Sequence, residues 1–210
     1  MSQAFGDWAQ SAGGSASEWT DEVVMAARAA NAAYSSGDGG LLTNLGIEYA
    51  PTGGFQAELT LHRGGFYVLA FAGTDPASMA NWTANAKQAL GFASTQYEQG
   101  IRLAKAVHSH GLVDGNVLFV GHSLGGGIAS AAAFATGGRA ITFNAAGLHS
   151  SHRVGTAGAI RAHYVRGEIL TALQQWTPLP NAVGSPIPHS GRRTYGPLRR
   201  HFMSSFLSGD

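Results

Sequence analysis

A serine with glycine two residues to either side, Gly121-His122-Ser123-Leu124-Gly125, separates the apolar run Val117–Val120 from a stretch of small and apolar residues, Ile128–Ala135. A hydroxyl does chemistry only when its surroundings make it a nucleophile, and this setting supplies one such arrangement. A buried strand turning sharply into a helix holds the serine in a strained backbone conformation, its hydroxyl projecting beside the positive end of the new helix. Gly121 and Gly125 carry no side chain where strand and helix converge, and Gly126 and Gly127 let the helix pack close over the sheet. Ser123 is therefore the candidate nucleophile. Nucleotide-binding readings fail on detail, because no Lys-Ser or Lys-Thr follows the glycines and no G-x-G-x-x-G follows the strand. A plain glycine-rich turn in an α/β protein is the bland alternative.

Such a turn needs a sheet and helices to hold it. Glu18–Ser35 carries Val23, Val24, Ala27, Ala30 and Tyr34 at helical spacing, with Thr20 or Asp21 as cap and SSGDGG at 35–40 as its end. Strands are expected at Leu45–Tyr49, at Phe55–His62 where apolar and polar residues alternate, and at Phe66–Ala72, with Arg63-Gly64-Gly65 as a hairpin turn. Gln96–His110 reads as a helix closed by Gly111, and Arg139–Phe143 and Ala159–Val165 read as further strands. Around Met79, Trp82, Leu90 and Phe92 the chain is apolar but short, which suits a small lid or a helix packed on the sheet. Strand–helix–strand units joined by glycine turns imply a mostly parallel sheet with helices on both faces. The expected organisation is one domain over 18–210 behind a loose Gly, Ser and Ala-rich start at 1–17.

Composition narrows the function classes. At 44% hydrophobic and 12% charged residues, the chain reads as a tightly packed globule, not a disordered tail. A net charge of +1 gives no general attraction to nucleic acid. With no cysteine, thiol catalysis, disulfides and zinc–thiolate sites are excluded. His108/His110 and His149/His152 lack convergent carboxylates, so no metal is expected, and no cofactor. No signal peptide is visible at the start and no run of 18 apolar residues occurs. The expectation is a soluble protein, cytoplasmic or exported without a signal peptide. Charge is nonetheless uneven: Asp7, Glu18, Asp21 and Glu22 lie near the start, while Arg192, Arg193, Arg199 and Arg200 crowd the end. That basic cluster is either a solvated face or a contact for anionic lipid head groups.

The GHSLGG elbow resembles that of lipases of the α/β-hydrolase fold, in particular the class 3 lipases and the related bacterial lipase-like toxins. The resemblance implies that fold, with a minimal lid domain or none. It extends to Ala72-Gly73-Thr74-Asp75-Pro76, which is similar to the oxyanion loop of class 3 lipases. Thr74 would offer its N–H and hydroxyl to a developing oxyanion, and the N–H of Leu124 would be the second donor. Ala72 departs from many relatives, which carry Arg there. Asn81-Trp82-Thr83-Ala84-Asn85 is similar to the family's segment after that strand, which makes Trp82 a substrate-binding candidate.

A serine hydroxyl needs a base, and the base needs an orienting acid; in this fold they follow the serine in the order acid, histidine. After Ser123 the acidic residues are Glu168 and the terminal Asp210. The stretch Val165–Thr171, with Leu179-Pro180, resembles the acid-bearing turn of lipase-like toxins, with Glu168 where relatives usually carry Asp. Two histidines follow Glu168. His201 resembles the residue that opens the family's final helix, a position whose dipole disfavours imidazolium unless Glu168 compensates. His189, among Pro186, Pro188 and Ser190, suits a stiff loop lining a substrate pocket. His201 is the preferred base. His122 reads as a packing residue. Two function classes remain: a serine esterase acting on lipid or phospholipid esters at a membrane surface, or a catalytically silent α/β-hydrolase used as a binding module. If the chain is an antibacterial effector, as the toxin resemblance implies, a cognate inhibitor protein belongs among its partners.

Overall fold

A computed structural model of the chain describes residues 20–35, 39–74, 86–171, 180–190 and 194–207, with the backbone alone over 86–94. Helix α1 (Asp21–Ala32) begins where its cap predicts: the Thr20 hydroxyl accepts from the Val23 N–H at 3.4 Å, and Asp21 and Glu22 occupy the first turn, where the helix dipole favours acids. A 3-10 turn, Ala33–Ser35, carries the chain to Tyr34. A short helix α2 (Gly40–Asn44) follows, and the strand expected at Leu45–Tyr49 does not form. The backbone explains why: the Leu45 and Ile47 N–H groups bond back to Leu41 and Leu42, so they close the helix and are lost to any ladder.

β1 (Ala57–Leu61) and β2 (Tyr67–Phe71) form an antiparallel hairpin across the expected glycine turn, with Leu61 opposite Tyr67 and Ala57 opposite Phe71. β3 (Val117–His122), β4 (Arg139–Phe143), β5 (Ile160–Val165) and β6 (Ser185–His189) then add in turn, each parallel to the last, so the sheet order is the chain order, β1 to β6. Right-handed crossovers that always step in one direction put their helices on one face. Accordingly α3 (Ala86–Ser109) and α4 (Leu124–Thr136), which connect β2 to β3 and β3 to β4, pack together over the same side.

Strand alternation divides the core between the two faces. Leu69, Phe71, Val117 and Phe119 lie under α3 and α4 with Leu103, Val107, Ile128 and Ala132. Their neighbours Val68, Ala70, Leu118, Val120, Ile141 and Phe143 pack against Val23, Val24, Ala27 and Ala30 of α1. Two short helices near the end, α5 (Pro197–His201) and α6 (Ser204–Leu207), close this second face, with Phe206 fully buried. Glu22 fastens α1 across the sheet through Arg139 and Arg161. The result is an α/β-hydrolase-like sandwich, a mostly parallel sheet with helices on both faces.

Two further expectations need correcting. The Pro186–Pro188 stretch, read as a stiff loop, is edge strand β6. Only alternate N–H groups of an edge strand face its neighbour, so two prolines spaced by two cost no ladder bonds when their nitrogens point outward; the His189 carbonyl accordingly accepts from the Arg166 N–H at 2.9 Å. The helix expected from Gln96 begins ten residues earlier, at Ala86 in α3, and so takes in Leu90 and Phe92 from the apolar stretch read as a lid or a packed helix. The earlier part of that stretch, with Met79, Trp82 and the Asn81–Asn85 segment, lies outside the described residues, as do the start at 1–17, Asp75, Arg192 and Arg193.

Candidate active site

The parallel strands end on one side of the sheet, and the ends of β2, β3, β4 and β5 deliver residues to the same place. β3 delivers Ser123, whose backbone sits at φ 55°, ψ −125°, a region side-chain-bearing residues rarely adopt, with α4 starting at the next residue. The strain is held by four hydrogen bonds: the Ser123 N–H donates to the Phe143 carbonyl at 3.0 Å, and its carbonyl accepts from Gly126, Gly127 and Ala146. The flanking glycines are steric necessities. A Cβ on Gly121 would lie 2.1 Å from the Gly125 oxygen, and one on Gly125 would lie 2.1 Å from the Phe71 oxygen.

β2 delivers Gly73 and Thr74. A Cβ on Gly73 would come 3.0 Å from the Ser123 Cβ and 2.6 Å from the His122 oxygen, so this segment runs directly alongside the elbow. Thr74 is half-buried, and so is Leu124, whose N–H emerges at the N-terminal end of α4, where helix amides lack intrahelical partners.

β5 leads through the turn at Gly167 to Glu168, which is completely buried. Its carboxylate accepts from the Leu170 N–H at 2.8 Å, from the Thr171 N–H and from the His201 Nδ1–H at 2.6 Å. Burial pushes the Glu168 carboxyl up, but the bond and charge of His201 and the two backbone donors together outweigh it and hold the group below the usual carboxylate value. On the far side of the imidazole, the Ser123 hydroxyl lies 3.0 Å from His201 Nε2, with the ring fully buried. Hydroxyl, imidazole and carboxylate thus form one unbroken hydrogen-bonded chain. Such a chain can move a proton from oxygen to nitrogen while the acid stabilises the imidazolium produced.

His201 does not open a helix. Gly196 and Pro197 start α5, Pro at the first turn being favourable, and His201 is its last residue. The dipole argument made for a helix N-terminus therefore does not apply to it. His189 does not line an open loop: it is buried, stacked on His163 at 5.1 Å between ring centroids, with the His163 Nδ1 and His189 Nε2 atoms 2.9 Å apart, and its edge-on neighbour is Phe206.

Three residues of the site escaped sequence reasoning. His122 accepts from the Tyr34 hydroxyl at Nδ1, 2.7 Å, and donates from Nε2 to the His201 carbonyl, also 2.7 Å. Asn144, at the end of β4, donates to the same carbonyl at 2.8 Å. The only signal in the chain was position: His122 precedes the nucleophile candidate and Asn144 follows a strand end. Near His201 the surface is basic, with Arg166 and Arg199 exposed and the Arg199 guanidinium 4.1 Å over the Tyr195 ring. Among the described residues no three His, Cys, Asp or Glu side chains converge as a metal site would require, and no helix is long and apolar enough to cross a membrane.

Comparison with known proteins points to phospholipases. "Extracellular phospholipase A1" of Serratia liquefaciens is 41% identical over 135 residues, which make up 58% of this chain and 41% of the relative. The chain thus spans about two fifths of that relative's length. A family model described as phospholipase-like, the Tle-like phospholipase domain, matches residues 31–191, taking in Gly73-Thr74, the elbow and Glu168 and stopping short of His201. Because that match runs through the strand ends in order and covers well over half of the 210 residues, the chain belongs to the Tle-like phospholipase domain family.

Proposed function

We propose that this protein is a serine hydrolase that cleaves the carboxylic ester of a phospholipid. The observation carrying the reading is the continuous bond chain from Ser123 through His201 to Glu168 beside a strained elbow. As Ser123 Oγ attacks the ester carbonyl carbon, its proton passes to His201 Nε2, and Glu168 stabilises the imidazolium through Nδ1–H. The carbonyl oxygen becomes an oxyanion held by the Thr74 N–H and hydroxyl and the Leu124 N–H. His201 returns the proton to the departing alkoxide, leaving an acyl-Ser123 and a lysophospholipid. Water, deprotonated by His201, then releases the fatty acid and restores the serine.

The substrate class rests on family membership and on the name of the Serratia relative; the basic surface at Arg166 and Arg199 suits a peripheral contact with phosphate-bearing head groups. An antibacterial role, with a cognate inhibitor protein in the producing cell, follows from the resemblance to lipase-like toxins. Growth arrest on export of the active chain to the periplasm, absent for Ser123→Ala, tests that role.

The central test pairs a fluorophosphonate probe with a lipid screen. Covalent labelling at Ser123 and release of fatty acid from phosphatidylglycerol or phosphatidylethanolamine vesicles are expected, both lost in Ser123→Ala and His201→Ala but kept in His189→Ala. A folded chain that neither labels nor hydrolyses any ester would support the binding-module reading. A dead His189→Ala beside an active His201→Ala would overturn the assignment of the base.

A further inference from the structure

We infer that His122 and Asn144 act together as positioning residues, gripping the backbone carbonyl of His201 so that its imidazole stays within reach of Ser123; the inference rests on the reading of His201 as general base. The need for such a grip lies in how His201 is presented. It ends a helix of five residues, followed by extended backbone at Phe202, and it has no place in the sheet ladder. The carbonyls at a helix end lack intrahelical partners. Here the His201 carbonyl receives two donors, His122 Nε2 at 2.7 Å and Asn144 Nδ2 at 2.8 Å, while Asn144 also reaches the Arg200 carbonyl at 3.1 Å. The Glu168 bond at Nδ1 fixes one end of the imidazole; the two hydrogen bonds accepted by the carbonyl fix the backbone from which the ring swings.

Both donors are themselves locked. A carbonyl only accepts, so His122 must carry its proton on Nε2, which leaves Nδ1 to accept from the Tyr34 hydroxyl at 2.7 Å. The His201 carbonyl thus fixes the tautomer, and the Tyr34 hydroxyl meets the lone pair that this leaves on Nδ1. Burial above all, and then the imidazole of His201 beside it, push His122 down to about 3, with its bond to the His201 carbonyl opposing the shift, so the ring stays neutral at working pH. Asn144 sits at φ 41°, a left-handed conformation that costs strain outside glycine but that Asn tolerates best. Its Oδ1 accepts from the Val165 N–H at 2.8 Å and its own N–H donates to the His163 carbonyl at 2.8 Å. The strained residue thus links the end of β5, three residues before Glu168, to the base. His122 is covalently joined to Ser123. Nucleophile, base and acid are in this way tied together by side chains that touch none of the reacting atoms.

The test separates position from fold and from chemistry. On a soluble short-chain ester, His122→Leu should lower kcat about a hundredfold, the scale of a displacement near 1 Å, with KM little changed. His122→Gln, which can present an amide donor where Nε2 stood, should restore most of that loss. Asn144→Asp, which keeps the acceptor for Val165 but removes the donor, should behave like His122→Leu. A second readout does not need turnover: in a Ser123→Ala background, the low-field proton resonance of the His201 Nδ1–H bonded to Glu168 should persist in His122→Gln and broaden or vanish in His122→Leu and Asn144→Asp. Parental kcat and an unchanged resonance in either disrupting variant would overturn the clamp, as would a His122→Gln protein no better than His122→Leu. Should His122→Leu fail to fold, Asn144→Asp carries the test alone: it must lower kcat and broaden the resonance, or the inference fails. An active Ser123→Ala protein would instead refute Ser123 as the nucleophile while the resonance still decides the clamp.

Discussion

Acidification from pH 7 to 5 should destabilise this protein far more than its modest charge suggests. His122 and His163 are both buried and both held at about 3, against 6.5 for a free imidazole. For each the main cause is burial; the second is the imidazole of His201 for His122 and that of His189 for His163, with Arg161 also bearing on His163. Between about pH 6.5 and 3 the unfolded chain therefore binds two protons that the native state refuses, so stability falls as pH falls. At about 1.4 kcal/mol per pKa unit, each imidazole removes about 2 kcal/mol by pH 5, and the pair about 4. That is a large share of the roughly 5–15 kcal/mol by which domains are stable. Glu168 adds nothing in this window. Its folded pKa is depressed below 4.5, so its contribution is present above that value and is lost only as pH falls further, through the folded pKa. Urea unfolding followed by circular dichroism at pH 7, 6 and 5 measures the slope directly, and His163→Phe should roughly halve it, whatever uniform packing penalty the substitution brings. A stability constant from pH 7 to 5 would refute the argument.

Gly125→Ala should cost about 1–3 kcal/mol or more, because its Cβ would lie 2.1 Å from the Phe71 backbone oxygen; a lowered Tm together with lost probe labelling is the expected pair of results. Thr74→Ala should slow turnover roughly a hundredfold, the scale of one lost oxyanion donor, while Thr74→Ser keeps more activity; equal activity of all three proteins would remove the hydroxyl from the mechanism. Glu168→Gln should lower kcat by roughly two to four orders of magnitude and flatten the pH–rate profile, since an amide in that site sets an N–H against the N–H donors of Leu170, Thr171 and His201. Glu168→Asp keeps the charge but retracts it by about 1.5 Å, so an intermediate rate is expected, measured on the same short-chain ester.

Much of this protein is local, and what is local could be read from the chain. The elbow is such a case: Gly121 and Gly125 are required by atoms within four residues or on the adjacent strand, and the apolar run before Ser123 and the small residues after it specify strand and helix unaided. The alternation in Phe55–His62 and the runs FYVLAF and RAITF likewise mark β1, β2 and β4, because burying one or both faces of a strand leaves a periodic trace. Chain order, read through the resemblance to the α/β-hydrolase fold, then limited the acid and base to a handful of residues. Tertiary structure decided the rest. His201 and His189 both follow Glu168, and the sequence favours His201 only by its resemblance to the residue opening the family's final helix. That ground fails, because His201 ends α5. Sheet packing buries His189 against His163 and Phe206, while α5 carries His201 across 78 residues of sequence to Ser123. The two prolines of β6 read as a loop because propensity takes no account of which strand is an edge. The grip of His122 and Asn144 left no trace either, for it depends on one carbonyl lying where the ends of β3, β4 and β5 meet. Periodicity records which face of an element is buried, a free energy each segment expresses by itself; convergence of strand ends depends on the order in which strands pair, which belongs to the whole sheet.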